Sequence, residues 1–406
     1  MNPRPFDAAA LLILALAGTR LFATGIDVQA DMGVASSNTG NSWTMAGLDK
    51  GLRNATRGFA TLLADGKLDL SETIVAQAIV HIDPERNAPL GAQEAWLTWK
   101  PFPNGPWGQR LRVGAVLPEI SEELSHEEIG WSPHRTVSQS AINSWLSEEV
   151  RPIGVEWTWQ HRNAVAGTRD VSLTAAAFGG NDPDGTLIAW RGWSVGSRVT
   201  AIGESIRLPD LPVYRPNGPI AAQSHHLTVT REVDGRPGYY LIGRIEGREG
   251  LAVTVAHFDN RGDPLQVHGG QYSWRTKFDH LGVTWHAPAA WDLIAQGMTG
   301  NTVMGPDAVN VSFSSAYGML SHAAGGGLLT FRYDVFRTHG HDILPQDPND
   351  ESGKSWAVAY RRPFGAAFTL IAEALRVSSH REARRQLQEE PSRTENSMTL
   401  LLRWSP

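Results

Sequence analysis

The sequence predicts an all-β chain, a transmembrane up-and-down antiparallel β-barrel of about 18 strands (about 16 in the alternative count) with one loop folded inward. Three observations predict it. From residue 26 onward apolar residues recur with a period of two rather than 3.6. The links between the alternating segments sort into tight turns and long loops, one rim smooth and the other ragged. After residue 25 there is no apolar run of the roughly 20 residues that a spanning helix needs.

The elements follow in order. "MNPRPFDAAALLILALAGTRLFATG" opens with Arg4, carries an apolar run from Ala8 to Ala17 and reaches small residues at Ala23 and Gly25, so residues 1–25 read as a secretory signal peptide. Residues 26–406 read as the barrel. Strands are expected at 26–35, 57–65, 72–83, 92–100, 109–117, 151–161, 168–179, 187–201 and 223–232, with 36–70 only weakly patterned. The second half adds 238–246, 251–259, 272–286, 291–300, 308–322, 328–338, 354–362, 367–378 and 395–404. "PIGVEWTWQ" sets Ile153, Val155, Trp157 and Trp159 against Gly154, Glu156, Thr158 and Gln160. "LTFRYDVF" likewise sets Leu329, Phe331, Tyr333 and Val335 against Thr330, Arg332, Asp334 and Phe336. In "NVSFSSAYGM", Val309, Val311, Phe313, Tyr317 and Met319 share a face. In a barrel the apolar faces point to lipid and the polar ones line the lumen.

Tight links such as "RNAVAG", "EGREG", "APAA" and "PFGA" alternate with long ones at 118–150, 260–271, 301–307, 339–353 and 379–394. A soluble sandwich has no reason to sort its loops this way. Strand parity then places the proline-rich segment 202–221, with prolines at 209, 212, 216 and 219, on the periplasmic side or in the lower lumen. Tyr272, Trp274 and Phe278 take one parity and Leu281, Val283 and Trp285 the other, which reads as a β-bulge near Asp279.

Composition bounds the chemistry. Fifteen tryptophans against no cysteine favour membrane interfaces and exclude disulfides, thiolate metal sites and cysteine nucleophiles. A formal charge of −6 offers no basic field for nucleic acid. "FDNRGDP" and "HGHDILPQDPNDESG" cluster Asp and Asn without calcium-loop spacing, and no HExxH or GxSxG is present, so no metal, cofactor or enzyme activity is expected.

Lumen-facing charges assigned by parity are Arg110, Arg112, Arg244, Arg275, Lys277, Arg332, Arg361 and Arg403, against Glu156, Glu246, Asp334 and Glu373. Rings of charge set pore selectivity, so this wall suggests a modest anion preference; the bland alternative is that the charges pair across strands. The loop 118–150 is acidic and contains a helical pattern at Val137, Ala141, Ile142 and Trp145. It reads as a constriction helix presenting His134, Arg135, Glu148 and Glu149 to solutes, or as a cover on the outer rim.

"EAWLTWKPFPNGPWGQRLRVGAVLPEISEE", residues 94–123, resembles a hairpin of the phosphate-selective porin O and P family: an aromatic strand, a Pro/Gly turn, an "LRVG" strand and a proline-containing approach to a long loop. The resemblance implies a trimeric-type porin with an inward-folded loop, in an outer membrane of lipid and lipopolysaccharide. Anion selection in that family depends on basic residues along the path, whereas the loop here is acidic, so phosphate specificity is not carried over. "NSMTLLLRWSP" is similar to the terminal strand of outer-membrane proteins generally, which implies handling by the barrel assembly machinery, although it ends in Ser405 and Pro406 rather than an aromatic residue. The function expected is a passive diffusion channel for small polar or charged solutes in a bacterial outer membrane. The alternatives are a barrel that serves as an enzyme or anchor without conductance, and a secreted β-sandwich that binds carbohydrate.

Overall fold

The structure is a computed structural model and describes residues 25–124, 129–162, 170–247, 249–306, 308–342, 344 and 346–406. The expected signal peptide lies outside the described residues apart from Gly25, which already begins the first strand.

Sixteen antiparallel strands close into one barrel, the first pairing with the last through Ala30↔Trp404 to Ser37↔Ser397. They are β1 (Gly25–Ser37), β2 (Arg57–Asp69), β3 (Ile74–Ile82), β4 (Leu90–Trp99), β5 (Trp107–Ala115), β6 (Ile153–His161), β7 (Asp170–Gly179) and β8 (Gly238–Glu246). The circuit continues with β9 (Leu251–Asp259), β10 (Arg275–Ala287), β11 (Trp291–Met304), β12 (Val309–Ala324), β13 (Gly327–Gly340), β14 (Glu351–Phe364), β15 (Phe368–Arg381) and β16 (Ser392–Trp404). No helix among the described residues is long and apolar enough to cross a membrane. A closed sheet leaves no unpaired edge, the condition for strands to cross lipid.

The alternation is what places each residue. Ile153, Val155, Trp157 and Trp159 are exposed on the outer wall, as are Leu329, Phe331, Tyr333 and Val335, while Glu156, Thr158, Arg332 and Asp334 are buried inside. Had the ribbons formed a sandwich, these apolar faces would have been covered; they are the outside of the barrel. Leu281 stands midway along β10 and is half exposed. Arginine there should cost about 2–4 kcal/mol of folding free energy in lipid, because its charge would sit in hydrocarbon. Reversible urea unfolding in vesicles measures it, and a Leu281→Arg barrel as stable as the parent would contradict an outward-facing Leu281.

The strand count is sixteen, the alternative of the two expected. Several placements are corrected, beginning with 187–201 and 223–232, which are not wall strands. The first becomes a short helix, Thr186–Trp190, followed by chain lying in the lumen, and the second contributes only His226–Thr228, paired with Ser205–Arg207 in a two-stranded sheet. Their apolar residues are buried on all sides, Trp190, Trp193 and Val229 at 0% exposure. Apolar alternation therefore arose from an interior core, not from lipid.

With those strands gone, β7 pairs directly with β8. All of 180–237, including the proline-rich segment, is then one link at the rim that also carries 38–56, 116–152, 260–274, 341–350 and 382–391. The tight turns, such as 70–73, 288–290, 325–326 and 365–367, share the opposite rim. The proline-rich segment is thus at the long-loop rim and not on the periplasmic side; there Val213 and Tyr214 are buried in a core with Trp190, Trp274 and the inward-facing wall residues Val309 and Val311.

The expected bulge near Asp279 does not form: β10 runs in unbroken register against both neighbours. Trp274 and Phe278 point inward, so Arg275 and Lys277, of opposite parity, are exposed on the outer wall and do not line the lumen. The register shift lies instead at Ile79/Val80 between β3 and β4. Finally, the apolar face of β12 turns inward: Val309, Val311, Phe313, Tyr317 and Met319 are all buried in the lumen.

Candidate permeation pathway

Two long links fold into the barrel and fill most of it. The helix α1 (Ala141–Glu149) is capped by Ser140, whose side chain accepts from Asn143 N–H, and every one of its residues is buried. Trp145 packs edge-on against Phe278 of the wall, with ring centroids 5.5 Å apart, and against Trp193 at 6.1 Å. The second helix, α2 (Thr186–Trp190), begins at Gly185 with φ +97°, where a Cβ would lie 1.9 Å from Thr302 Oγ1. Only glycine lets this turn lie against the wall.

Charge fixes the plug in place. Arg332 of β13 donates to Glu123 (2.8 Å), Asp334 (3.0 Å) and the Ser138 carbonyl (2.5 Å), all buried. Asp334 accepts from Ala141 N–H at 3.1 Å, and Glu373 of β15 accepts from Val137 N–H at 2.8 Å, so two wall carboxylates hold the start of α1, where its dipole favours negative charge. Arg244 donates to Glu122 at 2.8 Å, and Arg110 and Arg112 to Glu119 at 2.9 and 2.8 Å. Arg112 also meets Glu156 at 2.6 Å. The acidic loop and the basic wall thus neutralise one another by direct contact.

The expected constriction residues divide. His134 and Arg135 line a cavity, Arg135 beside Asp292 at 3.3 Å and the His134 carbonyl accepting from Arg361 at 2.5 Å. Glu148 and Glu149 do not face solutes. Both are at 0% exposure within the plug, Glu148 paired with Arg191 at 2.6 Å and Glu149 accepting from Trp145 Nε1–H (2.6 Å) and Leu187 N–H (2.7 Å). They are the C-terminal turn of α1, which docks against the second plug segment rather than against open space.

Burial pushes the Glu149 carboxyl up to about 7. A carboxyl raised in the fold binds its proton more tightly there than in the unfolded chain, so its contribution to stability falls as pH rises from about 4.5 through about 7. The plug should therefore resist protease more at pH 5 than at pH 8, and Glu149→Gln should flatten that profile while leaving ion preference unchanged. A profile identical in both proteins would remove Glu149 from the explanation.

Open space remains along β1 to β8 and β16, and reaches β10 and β11 at Thr284, His286 and Asp292. An upper cavity of about 390 Å³, reached from the long-loop rim, is lined by residues including Arg53, Arg57, Phe59, His81, Gln93, Trp131 and Arg403. Two lower cavities of about 610 and 890 Å³ open at the other rim and share Arg110, Glu119, Ser121 and Leu124; Arg112 lines the first, Arg244 and Glu246 the second. Trp131 is common to the upper cavity and the first lower one. Gly130, at φ +64°, turns the chain there, and a Cβ on it would come within 3.0 Å of Gln93 Oε1.

Arg403 sits with Asp31 at 2.9 Å beside the upper cavity, while Arg332, Asp334 and Glu373 lie beneath the plug. Trp131, Arg53, His81 and Gln93 were not anticipated. "IGWSP" places a tryptophan between a glycine and a proline inside a long loop, the one local signal available for it.

No family model matches the sequence, and no curated protein does. Among solved structures, the outer-membrane channel DcaP of Acinetobacter baumannii superposes with a TM-score of 0.58 at 8% identity, over 94% of this chain and 96% of that one. An anion-selective porin from Comamonas acidovorans gives 0.52 at 12% identity, over 94% and 99%. A loop-deletion form of OmpT, an outer membrane protein of Vibrio cholerae, gives 0.54 at 8%, over 94% and 99%. The chain has the fold of these barrels.

Proposed function

We propose that the protein is an outer-membrane porin, a passive diffusion channel for small polar or charged solutes. One observation carries the reading: the upper and lower cavities meet at a single side chain, Trp131, alongside a lumen otherwise filled. A narrow path between vestibules on the two rims, with paired charges along its wall, is how a barrel passes small solutes and excludes large ones. In this reading Arg403 lines the upper part of the path, and Arg110, Arg112, Arg244, Glu246, His134 and Arg135 line the lower part. The reading includes no catalytic step and no cofactor.

Planar-bilayer recording tests it. Stepwise openings with small, ohmic unit conductance are expected; a protein that inserts and never conducts would overturn it. The second reading, a plugged barrel serving as an anchor, is favoured by the apolar cores on both sides of α2 and would gain from that silence.

The likeness to the phosphate-selective porin O and P family is proposed for residues 94–123 alone, where the aromatic strand, turn and LRVG strand stand as β4 and β5. Phosphate specificity is not proposed, since the wall arginines that would supply it are engaged by loop glutamates. A homotrimer in lipid and lipopolysaccharide, assembled by the barrel machinery, completes the reading; a trimer form is described for OmpT of V. cholerae, a barrel of this fold.

A further inference from the structure

We propose that the upper cavity is a binding site for a small hydroxylated organic acid, held on the way to Trp131. The inference names the solute class for the channel proposed above and rests on that reading.

The cavity wall is cationic. Six arginines line it against four carboxylates. Arg53 and Arg57 share one partner, Glu85, at 3.4 and 3.2 Å, while Arg86 pairs with Asp83 at 2.9 Å and with Glu204 at 3.1 Å, the latter shared with Arg198. The two guanidiniums on Glu85 leave positive charge uncompensated, and a planar fork of N–H donors suits a carboxylate in two-point contact.

The floor is polar, buried and unsatisfied. His81 is 2% exposed and Gln93 3%, and both ring nitrogens of His81, Oε1 of Gln93 and Nε1 of the buried Trp131 have no hydrogen-bond partner among the described residues. Buried polar atoms are rarely left so, because each forfeits its hydration without return. Gln93 Oε1 requires a donor and Trp131 Nε1–H an acceptor. A hydroxyl group is both.

The sides are flat and apolar. The Phe59 ring, under the Arg53 guanidinium at 4.1 Å, and the buried Trp43 ring, under the Arg191 and Arg198 guanidiniums at 4.6 and 5.6 Å, give an entering aromatic or sugar ring apolar rings and the flat guanidiniums stacked on them to lie against. Carboxylate toward the arginines, ring along Phe59 and Trp43, and hydroxyl toward Gln93 and Trp131 is the orientation that satisfies all three. Phenolic acids and sugar acids both carry this chemistry.

Titration calorimetry of the full chain in micelles tests the site without requiring conduction. 4-Hydroxybenzoate and gluconate are the two arms, with benzoate and chloride as comparisons. At least one hydroxy acid should bind at least tenfold more tightly than chloride, and 4-hydroxybenzoate more tightly than benzoate. Arg53→Gln with Arg57→Gln should weaken both arms about tenfold. Gln93→Leu should erase the preference for 4-hydroxybenzoate over benzoate. The arm that binds decides between a phenolic and a sugar acid. Neither arm binding, or affinities untouched in both variants with barrels as heat-resistant as the parent, overturns the inference. A channel that conducts yet binds neither acid sinks this inference alone, whereas silence in the bilayer with intact binding sinks only the channel.

Discussion

Trp131→Ala should raise unit conductance about three-fold or more, because a narrow point between wide vestibules dominates the resistance of a pore. The indole is buried and lines both the upper and the lower cavity, and its neighbours Gly130 and Gln93 are too small or too short to fill the space it would leave. Size exclusion should relax together with conductance, read as faster liposome swelling in larger sugars. Loss of this buried indole from the plug core should also cost about 3–5 kcal/mol of stability, so conductance is read on barrels that remain folded and heat-resistant. Unchanged conductance and unchanged exclusion would place the path elsewhere in the barrel.

Arg332→Met should loosen the plug by about 3–5 kcal/mol, because removing one partner of a buried ion pair strands the other charges in a medium that cannot solvate them. Glu123 and Asp334 have fully buried side chains and both lean on this guanidinium. The loss should appear as cleavage of the 116–152 link by added protease and as noisy, enlarged conductance, with the barrel wall intact. Adding Glu123→Gln and Asp334→Asn to Arg332→Met should recover much of the loss, since no charge is then left buried. A single variant as resistant as the parent would mean that the loop is held by its apolar contacts alone.

Legibility followed the range of the interactions. The strands of the second half, from 238 onward, were read nearly to their ends, because long alternating ribbons such as Gly327–Gly340 repeat the same two-residue signal many times. The segment 187–201 was misread for the same reason. Leu187, Trp190 and Trp193 are apolar because they are buried, and a residue buried in a lumen core is chemically indistinguishable from one facing lipid. Arg275 and Lys277 stand one step of parity away from the lumen, since Trp274 and Phe278, which alternation alone assigns to lipid, line the interior against the plug. In the loop, acidity was visible but its destination was not: Glu119, Glu122 and Glu123 find Arg110, Arg244 and Arg332, the last two more than a hundred residues away in the chain.

What the sequence determined by itself is the wall: alternate residues must suit hydrocarbon on one side, a local requirement written into every second position, and turns must be short where the chain merely reverses. What fills the wall was decided only by tertiary structure. The plug, the point at Trp131 and the cluster of arginines above it arise where links distant in sequence meet inside a closed sheet. Contact there depends on shape and on which charge finds which partner, neither of which has a period to read.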